Sequence, residues 1–568
     1  MRIRNIVVLV MIFFSSIHFS FAKIQQTKLE APLFDDLGSI DFPISTQVPL
    51  AQRFFDQGLI LYYGFEWGEA IRSFKAATKL DPHCGMCYWG LALALSSKMN
   101  APMSGLEYKE AREAIHKAVT LKDYETPTEQ AYINALALRF KHPPKEQIPE
   151  MLSAFSCHDA SSSSDKSSPE EIAAYTTAMK ALIKNYPLDN HAKALYAWAL
   201  FETIEWKFWD IDGKINPVTP QIIAVLKEAL AKDKRHIGAN HYYIHVIETS
   251  PYPEKALDNA NLLTTLVPGS EHLVHMPTHI YMLTGLYHEG SNSNLQAIAA
   301  FNNYNKTCRA QGFEPEINYL YLHNYDFLRT TATMEGRKAL ALSAASSLVD
   351  NPFPDWLANE SSLQWFIPVP YYVKARFAMW KELLNEKKPL DEYQYAQGMW
   401  HYARGMAFVH LNDQIAANKE LHALDKIIQA GPNNQNLQEN GITLLKIAQA
   451  VLQANIANAK KDKGATLSYL QVAMKLQQNM RYHEPPDWYF PVKEMLADAY
   501  LKWGQPKKAV TLYEQALKQY PKNGWALFGL TKSLRQLGNT SKAEQTEKAF
   551  HAAWKYADIP TPVSLLGN

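Results

Sequence analysis

Apolar and polar positions along this chain alternate with a helical period almost throughout, and small residues recur at fixed offsets on top of that period. From Ala51 onward, Gly58, Ala70, Phe74, Ala77 and Pro82 stand where a 34-residue helix-turn-helix unit places small, aromatic and breaking residues. The next unit keeps Tyr88, Leu91 and Ala92, lengthens from Ser96 to Ser104, and resumes with Ala111, Ile115 and Ala118. The same spacing returns at the other end: Tyr500, Gly504, Ala509, Tyr513, Ala516 and Pro521 fit one unit, and Leu534, Gly538 and Ala543 repeat the pattern one unit later. In the middle, Ala256, Ala260, Leu263 and Pro268 close one unit, and Glu271, Tyr281 and Gly285 belong to the next.

These repeats predict an all-α chain, a right-handed tetratricopeptide-type solenoid of antiparallel helix pairs. The pattern divides it into an extended segment over 23–46, N-terminal repeats over 47–141, a Ser/Pro-rich loop over 142–169, central repeats over 170–350 and C-terminal repeats over 351–568. Glu170 to Phe208 reads as one long helical element, Gly336 and Ala341 set a further pair, and Gly405 and Ala417 another.

The first 22 residues read as a secretory signal. Arg2 and Arg4 precede an apolar run, and Ser20-Phe21-Ala22 offers the small residues a signal peptidase recognises. Export to a periplasmic or extracellular space is therefore expected, with no membrane span after cleavage. Lys and Arg total 57 against 56 Asp and Glu, a balance that speaks against a nucleic-acid footprint. Four cysteines occur, and only Cys84 and Cys87 are close in sequence; a local disulfide, a metal site and plain packing thiols are all compatible with that spacing.

The chemistry is concentrated in the centre. In the 34-residue register His241 and His275 are the fifth residues, and His245 and His279 the ninth, of consecutive first helices. Positions five and nine lie one above the other on a helix face. His272 and His323 hold position two of their units, and Glu248 extends the same stripe. In stacked repeats this stripe faces the concave groove. His241, His245, His275 and His279 are thus candidate ligands of a divalent transition metal, with Glu248 as a fifth ligand or an outer partner. Tyr242, Glu248, His272, Tyr281 and His323 are candidate binding residues of a histidine and aromatic groove for a protein segment or a small molecule. A third reading makes the histidines ordinary packed side chains bonded to nearby tyrosines. Pro277 interrupts the second helix, so either it kinks there or it begins there, with His275 on a loop.

The chain resembles a family of exported or uncharacterised tetratricopeptide proteins through Cys84-x-x-Cys87-Tyr88-Trp89-Gly90, Asn240-His241-Tyr242-Tyr243-Ile244-His245-x-x-Glu248, His272-Leu273-Val274-His275-Met276-Pro277-x-His279-Ile280-Tyr281, His323-Asn324 and Glu484-Pro485-Pro486-Asp487-Trp488. The resemblance implies the fold and groups these motifs; it names no substrate. Two functions follow as expectations: an exported scaffold that binds a protein segment or small ligand in its groove, or a metal-dependent hydrolase or oxidoreductase using the same histidines. Glu484 to Trp488 reads as a linker or a groove wall, and Trp206 and Trp209 as packing residues. No phosphate loop, nucleophile elbow or His-Glu-x-x-His sequence is present.

Overall fold

A computed structural model describes residues 30–96, 105–141, 168–210, 212–316, 320–350, 364–431 and 439–566. The expected signal segment, most of the insertion after Ser96 and nearly all of the Ser/Pro-rich loop lie outside the described residues. No strand occurs among the described residues, and none of their helices is long and apolar enough to cross a membrane.

The helices run in pairs: α1 (Pro49–Tyr63) with α2 (Trp67–Leu80), α3 (Gly85–Leu95) with α4 (Gly105–Leu121), α5 (Pro127–Ala137) with α6 (Pro169–Asn185), α7 (Asn190–Thr203) with α8 (Thr219–Lys232), and α9 (Ile237–Glu248) with α10 (Leu257–Leu266). A broken helix, α11 (Glu271–His275) and α12 (Pro277–Thr284), then pairs with α13 (Tyr287–Ala310), and α14 (Leu320–Met334) with α15 (Lys338–Asp350). The C-terminal part comprises α16 (Val369–Arg376), α17 (Trp380–Leu384), α18 (Gln394–His410), α19 (Gln414–Ala430), α20 (Glu439–Ala459), α21 (Lys463–Gln478), α22 (Val492–Lys502), α23 (Pro506–Gln519), α24 (Gly524–Gln536) and α25 (Thr540–Ala553). This is the stacked, all-α architecture the 34-residue period predicts.

Local chemistry explains the elements. In α2, Ala70, Phe74 and Ala77 share one face and are fully buried. The absence of a side chain at Gly58 lets α1 lie on Phe74: a Cβ there would come within 2.9 Å of that ring. A buried side chain of this kind contributes about 1.5–3 kcal/mol. Helices α5 and α6 each open with proline in the first turn and a capping box, Thr126 with Glu129 and Ser168 with Glu171. The sequence reading of one long element over Glu170 to Phe208 is corrected here. Asp189 caps α7 by accepting from the Ala192 N–H at 2.8 Å, and Pro187 has no N–H to continue α6, so two helices form.

Both outer parts of the array reach back to its centre. The Gln311 side chain, just past α13, bonds both main-chain groups of Leu33, at 3.0 and 2.8 Å, and Arg72 of α2 donates to the Glu314 carbonyl at 2.7 Å. From the other end, Trp525 donates to the Thr333 carbonyl and the Tyr287 hydroxyl to the Pro521 carbonyl, each at 2.9 Å. Helix α1 also packs on α9. Every residue from Ile237 to Glu248 is consequently buried. The expectation of an open concave groove lined by this helix is therefore not met: its histidines are fully buried.

Candidate metal centre

Six of the nine histidines of the central repeats form two groups of three. His241, His245 and His272 make one, and His275, His279 and His323 the other; within each, one ring nitrogen per residue lies within 4.8 Å of the other two. The expected set of His241, His245, His275 and His279 is thus divided between two positions, and each position recruits a histidine that the sequence placed beside it. The rule is the same in both: positions five and nine of one first helix are joined by position two of the next. His272 and His323 become members of the site, while Glu248 stands behind it.

Hydrogen bonds set the ring orientations. Nδ1 of His241 donates to the main-chain carbonyl of Tyr63 at 2.6 Å. Glu248 accepts from Nδ1 of His245 at 2.7 Å with one oxygen, and lies 2.6 Å from Nδ1 of His279 with the other. Nδ1 of His275 meets the Asn294 amide oxygen at 2.7 Å, and Asn294 is held that way round because its nitrogen donates to the Gly290 carbonyl and the Thr278 hydroxyl. With the proton on Nδ1, each of these imidazoles presents a lone pair at Nε2. Those Nε2 atoms face one another, His241 and His245 at 3.0 Å and His275 and His279 at 3.1 Å, and Nε2 of His272 lies 3.2 Å from that of His241. Facing lone pairs repel, whereas two nitrogens each about 2.0–2.1 Å from one tetrahedral metal ion would stand about 3.3 Å apart.

Pro277 does not destroy the register. Met276 keeps right-handed helical angles, its N–H donates to the His272 carbonyl at 2.9 Å, and the break costs a single residue between α11 and α12. His275 and His279 remain stacked one turn apart, so the kinked-helix alternative holds.

Each group has an aromatic lid. The Phe65 ring lies 4.5 Å from His241 and 5.3 Å from His272, and the Phe327 ring lies 4.7–4.9 Å from His275, His279 and His323. Sequence reasoning missed Phe65, Tyr63, Asn294 and Phe327. Only Phe327 carried a signal, one turn after His323. Burial first, and then the neighbouring imidazoles, hold His241 and His272 well below the ordinary imidazole range; the same two causes lower His275. Behind α11, the Ser270 hydroxyl donates to Glu66 at 2.5 Å, and burial pushes the Glu66 carboxyl up to about 8.

The remaining candidates lie elsewhere. Tyr242 is fully buried among Tyr63, Trp198 and Phe201, and the Tyr281 hydroxyl donates to Asn261 at 2.8 Å; neither belongs to the two groups. Trp206 sits edge-on to His245 at 5.2 Å, and Trp209 donates to the Val246 carbonyl at 3.0 Å, so both tryptophans support α9. Glu484 and Trp488 are each 2% exposed, which makes their segment part of the packed interior. Burial, followed by the charge of Glu248, raises the Glu484 carboxyl to about 8. Cys84 and Cys87 form a disulfide at the start of α3.

Comparison with known proteins adds one family match, the tetratricopeptide repeat, over residues 496–547. No curated protein matches the chain. Among solved structures the chain is similar to yeast Tom70 (11% identity, 88% of this chain and 90% of that one, TM-score 0.28). It is also similar to Naa15/Naa10 bound to HypK-THB (14%, 89% and 71%, TM-score 0.21) and to the P58(IPK) TPR domain (12%, 87% and 99%, TM-score 0.20). At this identity and TM-score the likeness carries no argument about function. The helix pairs themselves, with the repeat matched over α22 to α25, make this an all-α protein of tetratricopeptide architecture.

Proposed function

We propose that this chain is an exported tetratricopeptide scaffold whose central repeats hold two transition-metal ions side by side, and that it acts as a metal-dependent enzyme. One observation carries the reading. In each group two histidines, His241 with His245 and His275 with His279, hold Nδ1 against an acceptor on the outside, which turns their Nε2 lone pairs toward one another at 3.0 and 3.1 Å. Ligand histidines held through their second nitrogen by a carboxylate or carbonyl are the usual support of a metal site. A cation placed between two such nitrogens removes the repulsion of their lone pairs. The test is elemental analysis of the purified full chain. About two metal ions per chain are expected, falling to about one in His245→Ala and in His279→Ala. A metal-free protein that stays metal-free after incubation with zinc and copper salts overturns the reading.

A second reading concerns the C-terminal repeats, where the tetratricopeptide match supports binding of a protein segment. Residues past α25 already lie against these helices in a non-helical conformation: the Ser564 hydroxyl donates to Asp498 at 2.8 Å, and His410 meets the Leu565 carbonyl at 3.1 Å. A labelled synthetic peptide of residues 557–566 should bind the full-length Leu565→Asp/Leu566→Asp variant, whose own tail is loosened, and not the parent chain. Equal binding to both, or to neither, overturns it.

A further inference from the structure

The chain after α25 is fixed at two places and exposed between them; this inference rests on the second reading above, that the C-terminal repeats bind a protein segment. Pro560 and Pro562 have no N–H with which to extend the last helix, so the segment follows a non-helical path. Its first anchor is on the central repeats. The Asp558 carboxylate accepts from the main-chain N–H groups of Lys338 and Ala339 at 2.6 and 2.8 Å, so α15 is capped by a residue 220 positions beyond its first. The Asp558 N–H in turn donates to the Gly336 carbonyl at 3.2 Å, and Tyr556 stacks on His288 with ring centroids 3.6 Å apart. Trp554 packs on Gly336, where a Cβ would come within 2.4 Å of its ring.

The second anchor is in the C-terminal repeats. There Ser564 bonds Asp498 of α22, the Leu565 carbonyl meets His410 of α18, and Leu565 and Leu566 are buried. Pro560, Thr561 and Val563 between the two anchors are exposed. The tail also fills its seat incompletely: a cavity of about 60 Å³ remains beneath it, lined by Arg376, Glu494, Asp498, Tyr513, Trp525 and Lys532. Two leucines and two hydrogen bonds make a small contact. It persists against a competitor because the tail is tethered, which puts it before the groove at an effective concentration on the order of millimolar. The anchor at Asp558 shortens that tether to the few residues before Ser564.

We propose that the tail is an autoinhibitory strap. Leu565 and Leu566 plug a groove that otherwise takes an extended segment of another protein, a hydroxyl residue followed by two aliphatic ones, and Asp558 with Tyr556 latches the strap to the central repeats. Access to the groove is therefore set at the latch, by residues that do not line it.

A labelled synthetic peptide of residues 560–566, which carries the plug and lacks the latch, is titrated into full-length chains. Asp558→Ala removes the cap and leaves every groove residue in place, so it should gain about 2–30-fold in affinity over the parent chain. Tyr556→Ala should shift affinity in the same direction. Both side chains are exposed, so the helices should survive, and either variant suffices if circular dichroism excludes the other. The same peptide carrying Leu565→Asp/Leu566→Asp should bind none of the chains. Peptide binding to the full-length Leu565→Asp/Leu566→Asp variant, with no gain in the latch variants, overturns the strap and leaves the groove standing. Binding to no chain overturns both. Latch variants that pair by exchanging tails make a second copy the occupant, and that outcome overturns the proposal too.

Discussion

The main-chain carbonyl of Tyr63 accepts a 2.6 Å hydrogen bond from Nδ1 of His241, 178 residues further along the chain. The bond ties the first repeat to the fifth and fixes which nitrogen of His241 faces the interior. The two chains can come this close only because α9 carries glycine at 238, where a Cβ would stand 2.4 Å from the Tyr63 ring. Gly238→Ala is accordingly expected to cost about 1–3 kcal/mol by overpacking. It should weaken metal retention in the His241 group while sparing the His275 group. Thermal melts and metal analysis of the variant check this, and equal loss at both groups would count against it.

Glu248 serves both groups at once. A glutamine in its place has one acceptor oxygen and one donor nitrogen, so one of the two Nδ1–H groups loses its acceptor. Glu248→Gln should lower metal affinity about 10–100-fold at the group it fails to support. Chelator competition measures the change, and an unchanged profile would remove Glu248 from any positioning role.

Away from the centre, Arg139 is fully buried and forms a two-pronged pair with Glu202, at 2.8 and 2.6 Å. Its guanidinium also lies over the Tyr175 ring at 4.9 Å. Glu202→Ala leaves that charge uncompensated and should destabilise the α5 to α7 region by about 3–5 kcal/mol. The exposed pair Lys207 and Glu205 serves as the control, since such a pair contributes about 0–1 kcal/mol. Hydrogen exchange resolves the two, and similar effects from both would contradict the burial argument.

His410 sets an acid limit on the C-terminal repeats. Burial is the main cause that lowers it to about 4, while its bond to the Leu565 carbonyl opposes the shift. The unfolded chain binds this proton near 6.5 and the folded chain only near 4. The stability is therefore complete above about 6.5 and is lost as pH falls from there toward 4, by at most about 3 kcal/mol at about 1.4 kcal/mol per pH unit. His410→Gln keeps an N–H donor and removes the titration, so its unfolding midpoint should vary less across that interval. An identical pH dependence would exclude His410 as a source.

Much of this was legible beforehand. Ala70, Phe74 and Ala77 announced a buried helix face, and Tyr500 through Pro521 a complete repeat, because close packing between paired helices admits only small or flat side chains at those offsets. The fivefold and ninefold positions of His241, His245, His275 and His279 are likewise a one-dimensional property. Their division into two groups was not legible, although position two, held by His272 and His323, carried the clue. Which rung of the next helix comes nearest depends on how far one pair is rotated and advanced relative to the last, and small differences in packing set that offset.

The periodicity along the chain by itself determined most of the helices, the paired repeats at both ends and the six imidazoles on one stripe, since each of these follows from contacts between residues near in sequence. Tertiary structure alone decided that the stripe is enclosed, that Tyr63 and Asn294 orient its rings, and that Phe65 and Phe327 cover it. Those partners come from other helices and from a turn, and the superhelix must curl back on itself, through contacts such as Trp525 with Thr333, before they meet the histidines.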